Sequence, residues 1–293
     1  MASVKLSSAL KSLISAPHAQ GGPVPLPSQA ATTRLFEGLS RSAARNGLEP
    51  VTWLTLSSAA VTSLNSPATL CALYSFATKG LPESPDRTQK ASEYAAVMRE
   101  AGLKSISFSG IPRAINALGA LRAHLEPDVA AKLSTEPTRQ PTPSNLPSIL
   151  SSAHSLWTSI YAPHDQKLLS KLSESHPDLP VHILTSHYGP LLADPFVAPA
   201  PLAGHAHAQL GRILTSVVAI ACLRAQGGVG PQVTSHVFGL RKALADDLKE
   251  EDKVAGAEWL TSDEGCTWVI EQVDRIVEVV AAGRSTFATR AKL

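Results

Sequence analysis

Between Thr215 and Ala225 the chain is apolar on nearly every helical face, and Gly227-Gly228 follows at once. A helix without a polar face must be covered on all sides, so this stretch predicts a central helix inside a shell of other elements. At seven strongly apolar residues, Val217–Leu223, the run is far short of the roughly 20 that span a bilayer. No membrane span is expected. The rest of the chain carries helical spacing and no convincing alternation of apolar and polar residues, so an all-α fold is expected. With 293 residues there is ample chain for a large core.

Several helices have readable ends. Asp86-Arg87-Thr88-Gln89 has the form of a capping box, opening a helix that Gly102 would close. Pro112 suits the first turn of a helix with Ile111, Ile115, Leu118, Leu121 and Leu125 as its stripe. Pro231 opens a helix expected to run to Leu248, with Val233, Val237, Leu240, Leu244 and Leu248 inward. Cys266, Val269, Ile270, Val273, Ile276, Val277 and Val280 define a last amphipathic helix. A Pro/Ser/Thr-rich stretch, Ser134–Pro147, separates two blocks of similar size. The expected organisation is an N-terminal helix and tether over 1–35, a first repeat over 36–128, a linker over 129–148 and a second repeat over 149–290. A targeting tripeptide occupies 291–293.

Charge excludes some functions. Lys and Arg number 26 against 24 acids, a net charge of +2, and charged residues are only 17% of the chain. No basic cluster of the kind that binds nucleic acid is present, so no nucleic-acid partner is expected. Three cysteines, at 71, 222 and 266, cannot form a disulfide scaffold.

The two ends read as addresses. Leu6, Leu10, Leu13 and Ile14 fall at helical spacing, with Lys5 and Lys11 on other faces and no acid before Glu37. This composition fits a mitochondrial transit segment or an amphipathic helix packed on the body. Ala16–Thr33 reads as a flexible tether. The terminal Ala291-Lys292-Leu293 is a conservative variant of the Ser-Lys-Leu peroxisomal signal, which makes an import receptor an expected partner and the peroxisome the expected compartment.

On the Pro231–Leu248 helix, His236 lies at the edge of the apolar stripe. Gln232 stands one turn before it, and Gly239 and Ala243 one and two turns after. Two readings fit: an imidazole exchanging protons beside a ligand-sized gap, or a half-buried histidine with small residues serving helix packing. His205-Ala206-His207, with His182 and His187, is a poor metal site, because residues two apart diverge on a helix; no metal is assigned. Asp246–Lys253 is read as a solvated charge run.

The run Leu210-Gly211-Arg212-Ile213-Leu214-Thr215-Ser216 through Cys222-Leu223, then Gly227-Gly228-Val229-Gly230-Pro231-Gln232 and His236-Val237-Phe238-Gly239-Leu240, resembles the signature of carboxymuconolactone decarboxylase-like proteins. That superfamily includes the alkylhydroperoxidase D type. Gly110-Ile111-Pro112-Arg113 looks like its Gly-Phe-Pro-Arg segment, and Thr55–Leu64 with Ala68–Thr78 like a degenerate copy of the signature hairpin. Tyr161 and Tyr188-Gly189 match features of fungal two-copy members.

The resemblance implies an alkylhydroperoxidase D-like helical fold of two pseudo-repeats, a homo-oligomer, and an active site beside the histidine helix. It implies His236 as catalytic, with Gln232, Gly239, Arg113 and Tyr188 binding a small carboxylated, lactone or acyl-derived substrate without a cofactor. Arg113 and Asn116, one turn apart, can meet a carboxylate, cap the turn or face a partner subunit. Peroxidase-like relatives carry Cys-x-x-Cys where this chain has Val229 and Gln232, and a glutamate near Val217. Without that pair the dithiol chemistry is absent, and thiol-dependent peroxide reduction through Cys71 or Cys222 is the weakest alternative. The histidine-equivalent position of the first hairpin falls at or next to Cys71. A non-catalytic scaffold or metabolite-binding protein is the main rival, favoured if side chains fill the space beside His236.

Overall fold

The computed structural model describes residues 5–16, 22–84, 86–195, 209–245 and 254–283. It is helical throughout, with no strand among the described residues. No helix among them is long and apolar enough to cross a membrane. His205, His207, the 246–253 charge run and Ala291-Lys292-Leu293 lie outside the described residues.

The first half contains α1 (Ser8–Ile14), α2 (Gln29–Arg45), α3 (Pro50–Ser63), α4 (Pro67–Lys79) and α5 (Arg87–Lys104). The short α6 (Ile106–Ser109), α7 (Ile111–His124) and α8 (Pro127–Lys132) follow. The second half has α9 (Leu146–Tyr161), α10 (Asp165–Ser175), α11 (Asp178–His182) and a π-helical stretch, Ile183–Leu192. Then come α12 (Gly211–Gln226), α13 (Gly230–Arg241), α14 (Ala257–Leu260) and α15 (Asp263–Ala281).

At the centre α12 packs against α3, and both are sheathed: α3 by α2, α4, α5 and α15, and α12 by α13 and α15. Every residue from Gly211 to Leu223 is buried, as the apolar run requires. Gly227 and Gly228 end α12 with φ of +73° and +75°, backbone that a side chain would strain. A single hydrophobic core draws on α2–α5, α7, α8 and α12–α15, so both sides of the Pro/Ser/Thr-rich segment share one interior. That segment rests on the body: Leu133 and Ser134 are buried, and Arg139 pairs with Glu100 of α5. A satellite cluster of Ala153, Trp157, Ile160, Leu184, Tyr188 and Leu192 joins α9 to the π-helical stretch.

Several local expectations change. Asp86 makes no capping bond, and the Thr88 hydroxyl donates instead to Asp128 Oδ2 at 2.8 Å. Gly102 does not end α5. It lies inside it, where a Cβ would stand 2.9 Å from Leu118 Cδ2, so the glycine serves the approach of α7. On α7 the buried face is Ala114, Ala117 and Leu121, leaving Ile111 and Ile115 59% and 65% exposed. The tether is shorter than expected, because Ser28 caps α2 and Gln29 begins it. Val24 is tied to the α3–α4 turn by Val24 N–H to Asn65 O, 2.9 Å, and Ser66 Oγ to Val24 O, 2.9 Å. No residue of α1 is buried, and Leu6, Leu10, Leu13 and Ile14 are exposed, so α1 is not packed on the body. Finally, α13 ends at Arg241, well before Leu248.

Candidate functional site

The shortened α13 shifts its inward face. His236, Gly239 and Leu240 are its buried residues, while Val233 and Val237 are only partly covered. His236 is therefore not at the edge of the stripe but within it, 4% exposed. Its Nε2 meets the Tyr161 hydroxyl at 3.2 Å, and Tyr161 Oη meets Tyr188 Oη at 2.7 Å. Phe108 of α6 stands edge-on to the imidazole, 5.6 Å between centroids, and Trp157 lies against both tyrosine rings. Either tautomer leaves the buried Nδ1 without a hydrogen-bond partner.

The local sequence explains how these groups converge. Gly189, next to Tyr188, permits contact with α9, because a Cβ there would lie 2.6 Å from the Ile149 carbonyl. Pro190 has no N–H to offer an α-helical ladder, and the chain here takes the wider π-helical turn. Gly239 performs the same service on α13: a Cβ would lie 2.8 Å from Ile160 Cγ2. The small strip beside His236 is thus filled by α9 rather than open to a ligand.

Behind the cluster, Arg212 is 8% exposed at the start of α12. Its Nη1 donates to Ser216 Oγ at 2.6 Å, and its Nη2 to the carbonyls of Gly239 at 2.8 Å and Ser159 at 3.2 Å. Its Nε donates to Ser159 Oγ. Burial, with a smaller push from Arg212, lowers the His236 pKa to about 4, so the imidazole is neutral at neutral pH. Burial raises Tyr161 and Tyr188, which hold their protons. The chain Tyr188–Tyr161–His236 is an uncharged set of exchangeable protons.

Tyr161 also lines a groove of about 550 Å³ that neither Tyr188 nor His236 reaches. Its apolar wall includes Leu168 and Phe238, and Lys167, Lys171 and Lys242 stand around it. Lys242 Nζ donates to the Ala162 carbonyl at 2.5 Å.

The sequence-chosen residues divide. Tyr188 and Gly239 join His236. Gln232 is exposed in the first turn of α13. Arg113, on α7, donates to the Ser63 carbonyl at the end of α3, and Asn116 Nδ2 of the same helix donates to Asn65 Oδ1 at 2.9 Å. Both secure the α3–α4 turn. Tyr161, Arg212 and the groove lysines carry no assignment from the sequence. Tyr161 was legible only as a matching family feature, and Arg212 only as the head of an apolar helix.

Among the described residues no group of three or more His, Cys, Asp or Glu can hold a metal. His182 and His187 have ring centroids 5.3 Å apart, and each is engaged by a serine hydroxyl. Burial raises the thiol pKa of both Cys71 and Cys222, which opposes an activated thiolate. No protein-family model, curated protein or solved structure matches the chain.

Proposed function

We propose that the protein is a carboxymuconolactone decarboxylase-like enzyme that takes a small carboxylated or lactone metabolite into the Tyr161 groove and moves a proton on it without a cofactor. The observation that carries this reading is Tyr161 itself, which joins the groove to the buried Tyr188–His236 pair. Lys167, Lys171 and Lys242 attract the anion. For a β-keto acid, the bond to the carboxylate breaks and its electron pair enters the carbonyl, forming an enolate. Tyr161 gives its proton to the carbon, CO2 leaves, and the tyrosinate recovers a proton from water. His236 does not touch the substrate in this scheme. It orients the Tyr161 hydroxyl, which is a narrower role than the sequence implied. Two pseudo-repeats, a homo-oligomer and a peroxisomal address at 291–293 belong to the same reading. The exposed Ile111 and Ile115, one turn apart, support the oligomer.

A second reading is a metabolite-binding protein without turnover, favoured by the filled space around His236, where Ile160 abuts Gly239 and Phe108 abuts the imidazole. One experiment separates them. Purified protein is assayed on a muconolactone-type lactone and a β-keto acid, beside Tyr161→Phe. Turnover is expected, with kcat falling at least ~100-fold in the variant and KM little changed. Saturable binding with no turnover establishes the second reading, and unchanged kcat in Tyr161→Phe removes the tyrosine from the chemistry.

A further inference from the structure

A second cavity, of about 780 Å³, opens between α5, α7 and residues 133–140. Arg99, Arg122 and Arg139 face it together with Glu100 and Glu136. Arg139 is committed: both terminal nitrogens donate to the Glu100 carboxylate, one at 3.3 Å and the other closer, so these two charges cancel. Glu136 is exposed at the rim. Arg99 gives Nη2 to the Ser134 carbonyl at 3.2 Å, which holds its guanidinium against the cavity wall. Among the described residues neither Arg99 nor Arg122 is in an ion pair. Burial first, then the Arg122 charge, disfavours the charged form of Arg99, and the nearby Glu100 carboxylate offsets part of this.

Glu100 is shared with Arg139, so the repulsion between Arg99 and Arg122 is only partly offset, and an anion lying between them relieves it. Planar guanidinium forks match the oxygens of a tetrahedral oxyanion, and a doubly charged group neutralises both at once. Leu103, Leu118 and Leu133 give the cavity an apolar wall for an organic substituent. We infer that this cavity is a binding site for an organic phosphate, a phosphate monoester on an apolar group, held by Arg99 and Arg122. The site shares no lining residue with the Tyr161 groove and stands independently of the proton-transfer reading.

The test is calorimetric titration of the full chain with phenyl phosphate as the probe, and benzoate and inorganic phosphate as comparators. Phenyl phosphate is expected to bind saturably and more tightly than either comparator. Arg122→Gln, an exposed side chain, is expected to weaken it at least about tenfold, and Arg99→Met likewise. Lys171→Ala, in the other groove, is expected to leave the affinity unchanged. Absence of saturable phenyl phosphate binding overturns the inference. So does full affinity in both arginine variants, or equal affinity for benzoate. Loss of binding in Lys171→Ala moves the anion to the other groove and also overturns it.

Discussion

The two helical hairpins α3–α4 and α12–α13 use one local recipe and reach different ends. In each, a buried helix stops at left-handed backbone, Asn65 at φ +55° or Gly227-Gly228, and a proline opens the next helix. In the first hairpin the buried hydroxyls of Thr52, Thr55, Ser57, Ser58 and Thr62 have no hydrogen-bond partner. In the second, Arg212 binds hydroxyl and carbonyl groups from three elements, and a histidine stands within a tyrosine chain. Cys71, four residues after Pro67 in α4, is a half-buried free cysteine. The contrast teaches that burial does not build a site. The second hairpin differs in that one buried arginine joins hydroxyls and carbonyls of several helices into a single network.

The sharpest way to break that contrast is at the arginines. Removing the Arg212 guanidinium orphans the Ser159 and Gly239 carbonyls and two serine hydroxyls in the interior. Buried groups left unpaired cost roughly 1–3 kcal/mol each, less what relaxation recovers. Arg212→Met is therefore expected to lose about 4 kcal/mol in urea unfolding. Arg113→Met, at the first hairpin's turn, is expected to lose only about 1 kcal/mol. Equal losses would mean that the two hairpins are held alike.

A somewhat smaller effect follows from His236. Its folded pKa of about 4 lies below the ordinary histidine value near 6.5 of the unfolded chain. Between these pH values the unfolded chain binds the extra proton, so stability rises with pH across the window and is lost as pH falls from about 6.5 towards 4. The shift corresponds to about 3 kcal/mol at most. Chemical denaturation of His236→Gln between pH 4 and 7 is expected to show a flatter profile than the parent chain. An unchanged slope would assign the acid sensitivity to other groups.

Much of the scaffold was legible, and the reasons are local. The glycine pair, Pro231 and the apolar run specify the α12–α13 hairpin because each acts on neighbouring backbone. The α15 periodicity survives for the same reason. Helix α7 misleads: its large residues Ile111 and Ile115 face outward, because alanines at 114 and 117 allow close packing. Gly102 and Gly239 read as a stop and a gap, yet both mark where another helix presses in. Site membership was harder still. Tyr161 lies 75 residues from the histidine it bonds. An arginine at a helix start ordinarily faces water, and nothing near Arg212 in the chain announces that Ser159 and Gly239 will surround it.

The smallest effect concerns Cys71, and it sharpens what the first hairpin is for. Burial raises its thiol pKa, and no charged partner counters that rise. The side chain is half-buried, so truncation removes little packed volume: Cys71→Ala is expected to change unfolding free energy by less than about 1 kcal/mol. Tyr161-dependent turnover is expected to stay at the parent level, because Cys71 belongs to no contact of the Tyr188–Tyr161–His236 chain. A marked fall in kcat with unchanged stability would instead make the first hairpin a second working site. The two hairpins would then differ in the residue they present rather than in whether they act.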